Sequence, residues 1–143
     1  MKVSTRGRYA IRVMLDLAEY SNGECIPLMD IAKRQDISEK YLEAIVSLLV
    51  KAGLLTATRG KKGGYRLTRS PEEYTLKDIL QITEGAFAPV SCLETSPNTC
   101  ERATTCKTLK VWTDFQDLVN DYFAGITLAS LLEDNSCADN YSI

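Results

Sequence analysis

The hydrophobic pattern of the chain changes from a helical period to a strand period at Gly53. Ahead of it, Ser38 is suited to cap a helix, and Ile37 with Leu42 has the spacing of a hydrophobic staple. The apolar face of this helix consists of Leu42, Ile45, Val46, Leu49 and Val50. Gly53 can end the helix as its C′ residue, and two short runs rich in Leu, Thr and Tyr then alternate like strands. The sequence therefore predicts a capped helix followed directly by a β-hairpin.

Two further helices are predicted ahead of this unit. Apolar residues recur at helical spacing from Arg8 to Tyr20, and “SNGECIP” interrupts the pattern before the short amphipathic “LMDIAKRQ”. Helix, short helix, capped helix and hairpin is the order of a winged helix-turn-helix. In that design the capped helix enters the DNA major groove, while the hairpin loop reaches the backbone or the minor groove. The predicted fold class is mainly α with a small β-hairpin.

The hairpin loop lies in “RGKKGGYRL”, a stretch rich in glycine and basic residues. A Walker-type phosphate loop requires Gly-Lys-Ser/Thr between a strand and a helix, whereas here the lysines precede the paired glycines and strand-like residues follow. Gly60, Gly63 and Gly64 instead suit the tip of a tight hairpin. The cations at this tip are Arg59, Lys61 and Lys62. An ordinary hairpin with a solvated, charged turn is the alternative interpretation.

The charge of the chain is unevenly distributed, although the formal net charge is only -2. Residues 1–70 contain 13 Lys and Arg against 7 Asp and Glu, whereas residues 71–143 contain 4 against 12. The first half therefore carries +6 and the second -8. A basic half beside an acidic half indicates that one end meets a polyanion while the other has a separate role. Two solvated surfaces of opposite sign would give the same totals.

Cysteine and histidine usage narrows the possible chemistry. The first residues are charged and contain no apolar run long enough for a signal peptide or a membrane span, so we expect a cytosolic protein with reduced thiols. In that compartment five cysteines indicate metal, cluster or redox chemistry rather than disulfides. The chain has no histidine, which excludes Ser-His-Asp and Cys-His catalysis and His-rich zinc sites.

The second half begins with another helix, for which Thr75 and Asp78 have capping-box spacing. Periodicity then disappears for residues 85–106, and a long amphipathic helix and a short terminal one follow. One side of the long helix is expected to hold Leu109, Trp112, Phe115, Val119, Tyr122, Phe123 and Ile126. We expect a dimerisation helix, the alternative being a helix folded back on its own domain. The predicted organisation is a winged helix-turn-helix domain with its following helix (1–84), a cysteine-bearing sensor loop (85–106), and the dimerisation helix with the C-terminal tail (107–143).

Three stretches resemble a known family. “STRGRYAIRVMLDLA”, “DISEKYLEAIVSLLVKAGLL” and “RGKKGGYRL” closely resemble the dimeric bacterial transcription regulators of the Rrf2 family, the group of IscR, CymR and NsrR. The resemblance extends over nearly the whole chain, with Thr58 where the family often has Val. It implies a homodimer that binds a pseudo-palindromic operator on double-stranded DNA.

The resemblance also implies which residues contact DNA. Family members insert the wing arginine, here Arg59, into the minor groove, and they contact bases from the start of the recognition helix. Glu43 looks like a specificity element, because a carboxylate accepts from cytosine N4 and repels phosphates when misplaced. Lys40 and Ala44 differ from the polar residues of the cluster-binding regulators, which leaves the operator open. The expected DNA-binding set is Arg6, Arg8, Ser38, Lys40, Tyr41, Glu43, Ala44, Arg59, Gly60, Lys61 and Lys62, with Arg6 and Arg8 on phosphates.

Three of the cysteines lie in the aperiodic loop, and three thiolates on one loop can converge on one metal centre. The resemblance makes Cys92, Cys100 and Cys106 the expected ligands of a 2Fe-2S or 4Fe-4S cluster. Two departures stand out: the spacing from the first to the second cysteine is longer than in the family, and Leu109 replaces the family's histidine ligand. Arg8 occupies the position of a carboxylate that other members supply from the partner subunit. The fourth ligand stays open among Glu94, Glu101, Cys25, Cys137 and water.

Other functions remain possible at this point. The loop could form a thiol redox or zinc site, or the chain could resemble CymR, lack a cluster and be controlled by a partner protein or by thiol oxidation. A small thiol redox enzyme and a winged adaptor for RNA or protein are alternatives of other classes. Cys25 and Cys137 each stand alone in sequence and are interpreted as structural or incidental thiols.

Overall fold

A computed structural model of the protein describes residues 1–134, and they form a mainly helical fold with one antiparallel hairpin. The fold class expected from the sequence is confirmed. The helices are α1 (Thr5–Tyr20), α2 (Leu28–Gln35), α3 (Glu39–Lys51), α4 (Leu76–Glu84), α5 (Leu109–Ala124) and α6 (Leu128–Glu133). The strands are β1 (Leu55–Thr58) and β2 (Gly64–Leu67), and short 3-10 turns cover Pro71–Glu73 and Ser91–Leu93.

Local capping rules determine where α3 begins and ends. Ser38 Oγ accepts a hydrogen bond from Tyr41 N at 3.2 Å, and Ile37 with Leu42 is buried as a staple. At the other end Gly53 has φ +79°, and Leu54 N donates to Leu49 O at 2.9 Å. Both ends match the expectation from sequence.

The first helix begins earlier than the apolar pattern indicates, at Thr5 rather than Arg8. The cause is Ser4, whose Oγ accepts from Gly7 N at 3.0 Å and so caps the helix. Along one face α1 buries the side chains that form the centre of the core, and α2, α3 and α4 pack around it. The core residues of α1 and α3 are Ala10, Val13, Met14, Leu17, Leu42, Ile45, Val46 and Leu49.

The hairpin is fixed to the segment between α1 and α2. Leu55 pairs with Leu67 and Thr58 with Gly64 at the two ends of the ladder. Ile26 adds a bridge, because it exchanges two backbone hydrogen bonds of 2.9 Å with Tyr65. Gly64 has φ +145°, and a Cβ placed there would lie 2.2 Å from the Ile26 carbonyl oxygen. Only glycine lets the hairpin approach so closely.

Tyr74 joins the base of the hairpin to the start of α6. Its buried hydroxyl accepts from Thr68 N at 2.8 Å and Arg69 N at 2.9 Å, and it donates to Leu54 O at 2.9 Å. The Tyr74 carbonyl accepts from Leu128 N at 3.0 Å. Since Leu128 is fully buried in the same core, α6 packs against the winged unit.

The apolar side chains of α5 are divided between two directions. Phe123 is half-buried and packs on Phe87, with ring centroids 5.4 Å apart. Ile126, which the sequence placed on the same helix, lies beyond its end at Ala124 and is half-buried. Five others are exposed: Val111, Trp112, Phe115, Leu118 and Tyr122. The single stripe expected from sequence is therefore wrong in detail, because Val111 and Leu118 belong to the exposed set while Phe123 turns inward. No helix within residues 1–134 is both long and apolar enough to cross a lipid bilayer.

Two glycine substitutions test the close approach of the hairpin. Gly64→Ala should lower the free energy of unfolding by about 3 kcal/mol or more, because backbone strain and a clash with Ile26 add. Gly60→Ala is the matched control: φ is +105° there, but nothing lies within 4 Å of the added Cβ. We expect that variant to lose only about 1 kcal/mol in urea unfolding. Equal losses would contradict the Ile26 contact.

Candidate nucleic-acid interface and cysteine segment

The start of α3 is exposed on the side opposite to the core. Its inward residues are buried, whereas the side chains expected to contact bases are exposed: Ser38, Lys40, Tyr41, Glu43 and Ala44. The Ser38 hydroxyl already accepts from Tyr41 N, so part of its hydrogen-bonding capacity caps the helix. This surface offers an ammonium, a carboxylate, a phenol and a methyl group within two turns, which are groups that recognise base edges.

The hairpin loop forms a tight, cationic tip, which we call the wing. Gly63 N donates to Gly60 O at 2.9 Å, and Gly60 has φ +105°. Arg59, Lys61 and Lys62 are exposed, and none of them forms an ion pair within residues 1–134. Unneutralised cations on a narrow loop can approach a phosphate backbone or enter a minor groove.

The two expected phosphate contacts near α1 already have partners within the chain. Arg6 Nη2 donates to Thr83 O, the carbonyl of a residue near the end of α4, at 2.8 Å. Arg8 Nη2 donates to Thr5 Oγ1 at 3.1 Å. Both residues remain exposed, and a guanidinium has five N–H donors, so these bonds leave capacity for a phosphate.

A buried ion pair fixes α2 against α1, and sequence patterns did not reveal it. Asp16 is 1% exposed, and its carboxylate accepts from Arg34 Nε at 3.0 Å and Nη2 at 2.7 Å. Gln35 Nε2 donates to the same carboxylate at 2.9 Å. The hydrogen bonds to Asp16 raise the pKa of the Arg34 guanidinium above its ordinary value. The sequence did place the Asp16 carboxylate next to the apolar face of the first helix. A carboxylate that becomes buried requires a partner, and this rule could have indicated the ion pair.

The cysteine segment, residues 85–108, contains only one short 3-10 turn as regular structure. Cys92 is half-buried, Cys100 and Cys106 are exposed, and all three thiols are free. Cys106 lies just before α5, where a hydrogen bond with Thr108 Oγ1 at 3.4 Å and backbone N–H groups of Thr108 and Leu109 lower the pKa of its thiol. Cys137 lies outside the described residues.

The donor chemistry of this segment fits an iron-sulfur cluster, but the described conformation does not assemble a site. Cysteine thiolates are the usual ligands of such clusters, and three of them lie within 15 residues. Asn98 Oδ1 accepts from Cys100 N at 2.9 Å, while its buried Nδ2 has no partner among residues 1–134. In the same part of the chain no three His, Cys, Asp or Glu side chains form a group able to hold a metal ion.

Fold and surface together are those of a winged helix-turn-helix protein, and its relatives are transcriptional regulators rather than enzymes. The chain belongs to the Rrf2 family: residues 3–134 match the family model described as an iron-dependent transcriptional regulator. The protein rrf2 of Nitratidesulfovibrio vulgaris is 38% identical over 141 residues, which cover 98% of this chain and 93% of that protein. The resemblance inferred from sequence is confirmed.

Two solved structures agree with this assignment. CymR, the global cysteine regulator of B. subtilis, superposes with a TM-score of 0.74 at 36% identity, covering 92% of this chain and 95% of CymR. T. potens IscR gives a TM-score of 0.74 at 33% identity, covering 100% of this chain and 92% of IscR. Two of the three regulators that the sequence resembled, CymR and IscR, are therefore similar to this chain in structure as well.

The ion pair between α1 and α2 generates an asymmetric prediction. Arg34→Ala should cost more free energy of unfolding than Asp16→Ala, by about 1–2 kcal/mol, because it leaves a buried carboxylate with Gln35 alone. Asp16→Ala leaves the Arg34 side chain, which is 32% exposed and can be hydrated. Urea unfolding of both variants at neutral pH measures the difference. A larger loss for Asp16→Ala would show that the buried charge is not the controlling feature.

Proposed function

We propose that the protein is a homodimer that binds a pseudo-palindromic operator through α3 and the wing. The observation that supports this most is that one core anchors both the exposed start of α3 and the wing, whose cations form no ion pair within residues 1–134. Ile26 and Tyr65 hold the wing, while the buried Ile37 and Leu42 attach the start of α3 to the core. A rigid frame of this kind can offer both surfaces to one duplex without a further ordering cost.

In this proposal α3 contacts base edges in the major groove. Ser38, Lys40 and Tyr41 lie in or next to its first turn, and Glu43 and Ala44 follow on the same exposed side. Glu43 accepts from a cytosine amine and is repelled by phosphate when the sequence is wrong, so it contributes to specificity. Ala44 supplies an apolar contact suited to a thymine methyl group.

The wing and the start of α1 contact the DNA backbone. Arg59 enters the minor groove, where a narrow groove concentrates negative potential, and Lys61 and Lys62 approach phosphates. Gly60 lets the wing backbone come close to the duplex. Arg6 and Arg8 bind phosphates, which increases affinity for every sequence and shifts binding with salt.

The exposed apolar face of α5 supports dimerisation. It consists of Val111, Trp112, Phe115, Leu118 and Tyr122, and Leu118 is 67% exposed. Such a face on a helix of 16 residues is suited to the same helix of a second copy, which gives a two-fold dimer. A two-fold dimer places two recognition helices on inverted half-sites.

The cysteine segment is proposed to be the sensor. Cys92, Cys100 and Cys106 would hold an iron-sulfur cluster, 2Fe-2S or 4Fe-4S, which would link distant parts of the segment. This link would be sensitive to iron, oxidants or nitric oxide. The family description as iron-dependent and the likeness to T. potens IscR support this part of the proposal. The described conformation of residues 1–134 brings no three possible ligands together, so the fourth ligand stays open.

A direct connection leads from this segment to the DNA-binding surface. Gly85 begins the segment immediately after Glu84, whose carboxylate accepts from Ser4 Oγ and, at 3.3 Å, from Ser4 N. Arg6 donates to the neighbouring Thr83 carbonyl. Ordering or loosening the segment would therefore move the start of α1, and with it Arg6 and Arg8. The balance between two conformations of the DNA-binding surface would change as a result.

A second candidate is a regulator without a cluster, controlled by thiol oxidation or by a partner protein, as the likeness to CymR suggests. The observation that favours it is the position of Cys25. Its Sγ donates to Thr58 Oγ1 at 3.4 Å, next to the base of the wing. A group added to Cys25 would displace the hairpin end that precedes Arg59, which would give Cys25 a regulatory role in place of the structural or incidental one expected from sequence.

Arg59 is the residue whose loss should affect DNA binding most directly. Arg59→Ala should weaken binding to an operator selected from random duplexes by about 1–3 kcal/mol, because the variant no longer recognises a narrow minor groove. Binding to random DNA should weaken by less. Lys110→Ala, which removes an exposed cation paired with Asp114 on α5, is the control and should bind like wild type. Unchanged operator affinity for Arg59→Ala would remove the wing from the proposal.

Cysteine variants separate the two sensor hypotheses. Protein purified without oxygen should be coloured and contain iron and sulfide, and replacing Cys92, Cys100 and Cys106 together with Ser should abolish all three. Cys25→Ser is the matched control and should keep the colour, because the Cys25 thiol contacts Thr58 beside the wing and lies outside the cysteine segment. Colourless wild-type protein whose operator affinity falls on mild oxidation, but not in Cys25→Ser, would favour the second candidate instead.

A further inference from the structure

Arg12 lies on α1 beneath the turn that joins α2 to α3. Its Nε donates to Gln35 Oε1 at 3.1 Å, and its Nη2 donates to the backbone carbonyl of Gln35. Gln35 is the last residue of α2, and Asp36 follows in a left-handed conformation with φ +53°. The guanidinium therefore satisfies a terminal carbonyl of α2 at the point where the chain turns toward α3.

The same guanidinium supports an aromatic contact with α3. Its central carbon lies 5.1 Å from the centroid of the Tyr9 ring. The Tyr9 ring meets Tyr41 edge to face, with centroids 5.7 Å apart and planes at 88°. Tyr41 belongs to the first turn of α3 and is one of the exposed residues proposed to contact bases. Arg12 thus links the turn and the recognition surface through Tyr9.

Gln35 holds Arg12 in one geometry. Its Oε1 accepts from Arg12, while its Nε2 donates to the Asp16 carboxylate at 2.9 Å. Arg34 donates to the Asp16 carboxylate through Nε and Nη2, which fixes that carboxylate. The Gln35 amide therefore cannot rotate by half a turn without losing its hydrogen bonds to Arg12 and to Asp16. The chain Asp16–Gln35–Arg12–Tyr9–Tyr41 is preorganised before any DNA is present.

We propose that Arg12 is a positioning residue for operator discrimination: it sets the orientation of the first turn of α3 through Gln35 and Tyr9. The inference rests on the proposed function as a DNA-binding regulator. In this proposal Arg12 acts through the two N–H donors that Gln35 uses and through the face that contacts Tyr9. No phosphate is assigned to its three remaining donors, and the salt dependence of binding tests that assignment. Lysine cannot replace it, because an ammonium lacks the planar fork and the flat face that these two contacts use.

Binding measurements on Arg12→Lys and Arg12→Met distinguish positioning from charge. Dissociation constants are measured for the selected operator and for random duplex at several salt concentrations. The affinity of both variants for the operator should fall about tenfold, the equivalent of one base-specific contact. Their affinity for random duplex should stay within about twofold of wild type. The slope of log K against log salt on random duplex should not change.

A phosphate contact would give the opposite pattern and would overturn the proposal. Arg12→Lys would then bind like wild type, and Arg12→Met would lose affinity for both duplexes with a slope smaller by about 0.9. Arg69→Lys is the control for exchanging an arginine that covers a tyrosine, since Arg69 lies 4.8 Å over the Tyr74 ring. An equal loss of discrimination in Arg69→Lys would also overturn the proposal.

A variant of Tyr9 tests whether Arg12 acts in part through the Tyr9 ring. Tyr9→Leu should also lose discrimination, and the double variant should lose no more than Arg12→Lys alone, because the contact of Tyr9 with Tyr41 is supported by Arg12. Additive losses would contradict the shared route. Wild-type protein that selects no operator would refute the proposed function itself, whereas wild-type selection with an unaffected Arg12→Lys would refute only the role of Arg12.

Discussion

The helix-turn-helix geometry depends on one buried charge, the carboxylate of Asp16. A carboxylate inside a core is tolerated only with strong donors, and both residues that supply them, Arg34 and Gln35, lie in the last turn of α2. The pair therefore determines where α2 ends against α1. Asp36 then turns the chain by its left-handed conformation, so the starting point of α3 follows from the position of α2.

The wing is held in the same frame by a different interaction. Ile26 lies between α1 and α2 and pairs by backbone with Tyr65, while the Tyr74 hydroxyl gathers three backbone groups at the base of the hairpin. The Tyr74 carbonyl also accepts a hydrogen bond from Leu128 N, at the start of α6. The helix α3, the hairpin and α6 thus share one core. In the proposed mechanism, a change in the cysteine segment would reach the DNA-binding surface through this frame.

Local sequence rules predicted the parts of this structure that local physics determines. The caps at Ser38, Gly53 and Thr75 and the hairpin were confirmed, since each depends on residues within one turn. The pair of Asp16 and Arg34 was not predicted, because two helices must pack before those side chains meet. On α5, periodicity identified an apolar helix but not that Phe123 packs on Phe87 while Leu118 stays exposed. The family resemblance made the three loop cysteines the expected cluster ligands, and that expectation stays a prediction, because residues 1–134 assemble no group of three such ligands in the described conformation.

In the proposed complex, two copies of this chain bind inverted DNA half-sites through α3 and the wing. The sharpest test is to select binding sites from a random duplex library with the wild-type protein. The recovered sequences should share two inverted half-sites whose centres are separated by about one helical turn or a multiple of it, and excess RNA should not displace the bound duplex. Recovery of no common motif, of a single unrepeated site, or of complexes displaced equally by RNA would contradict it.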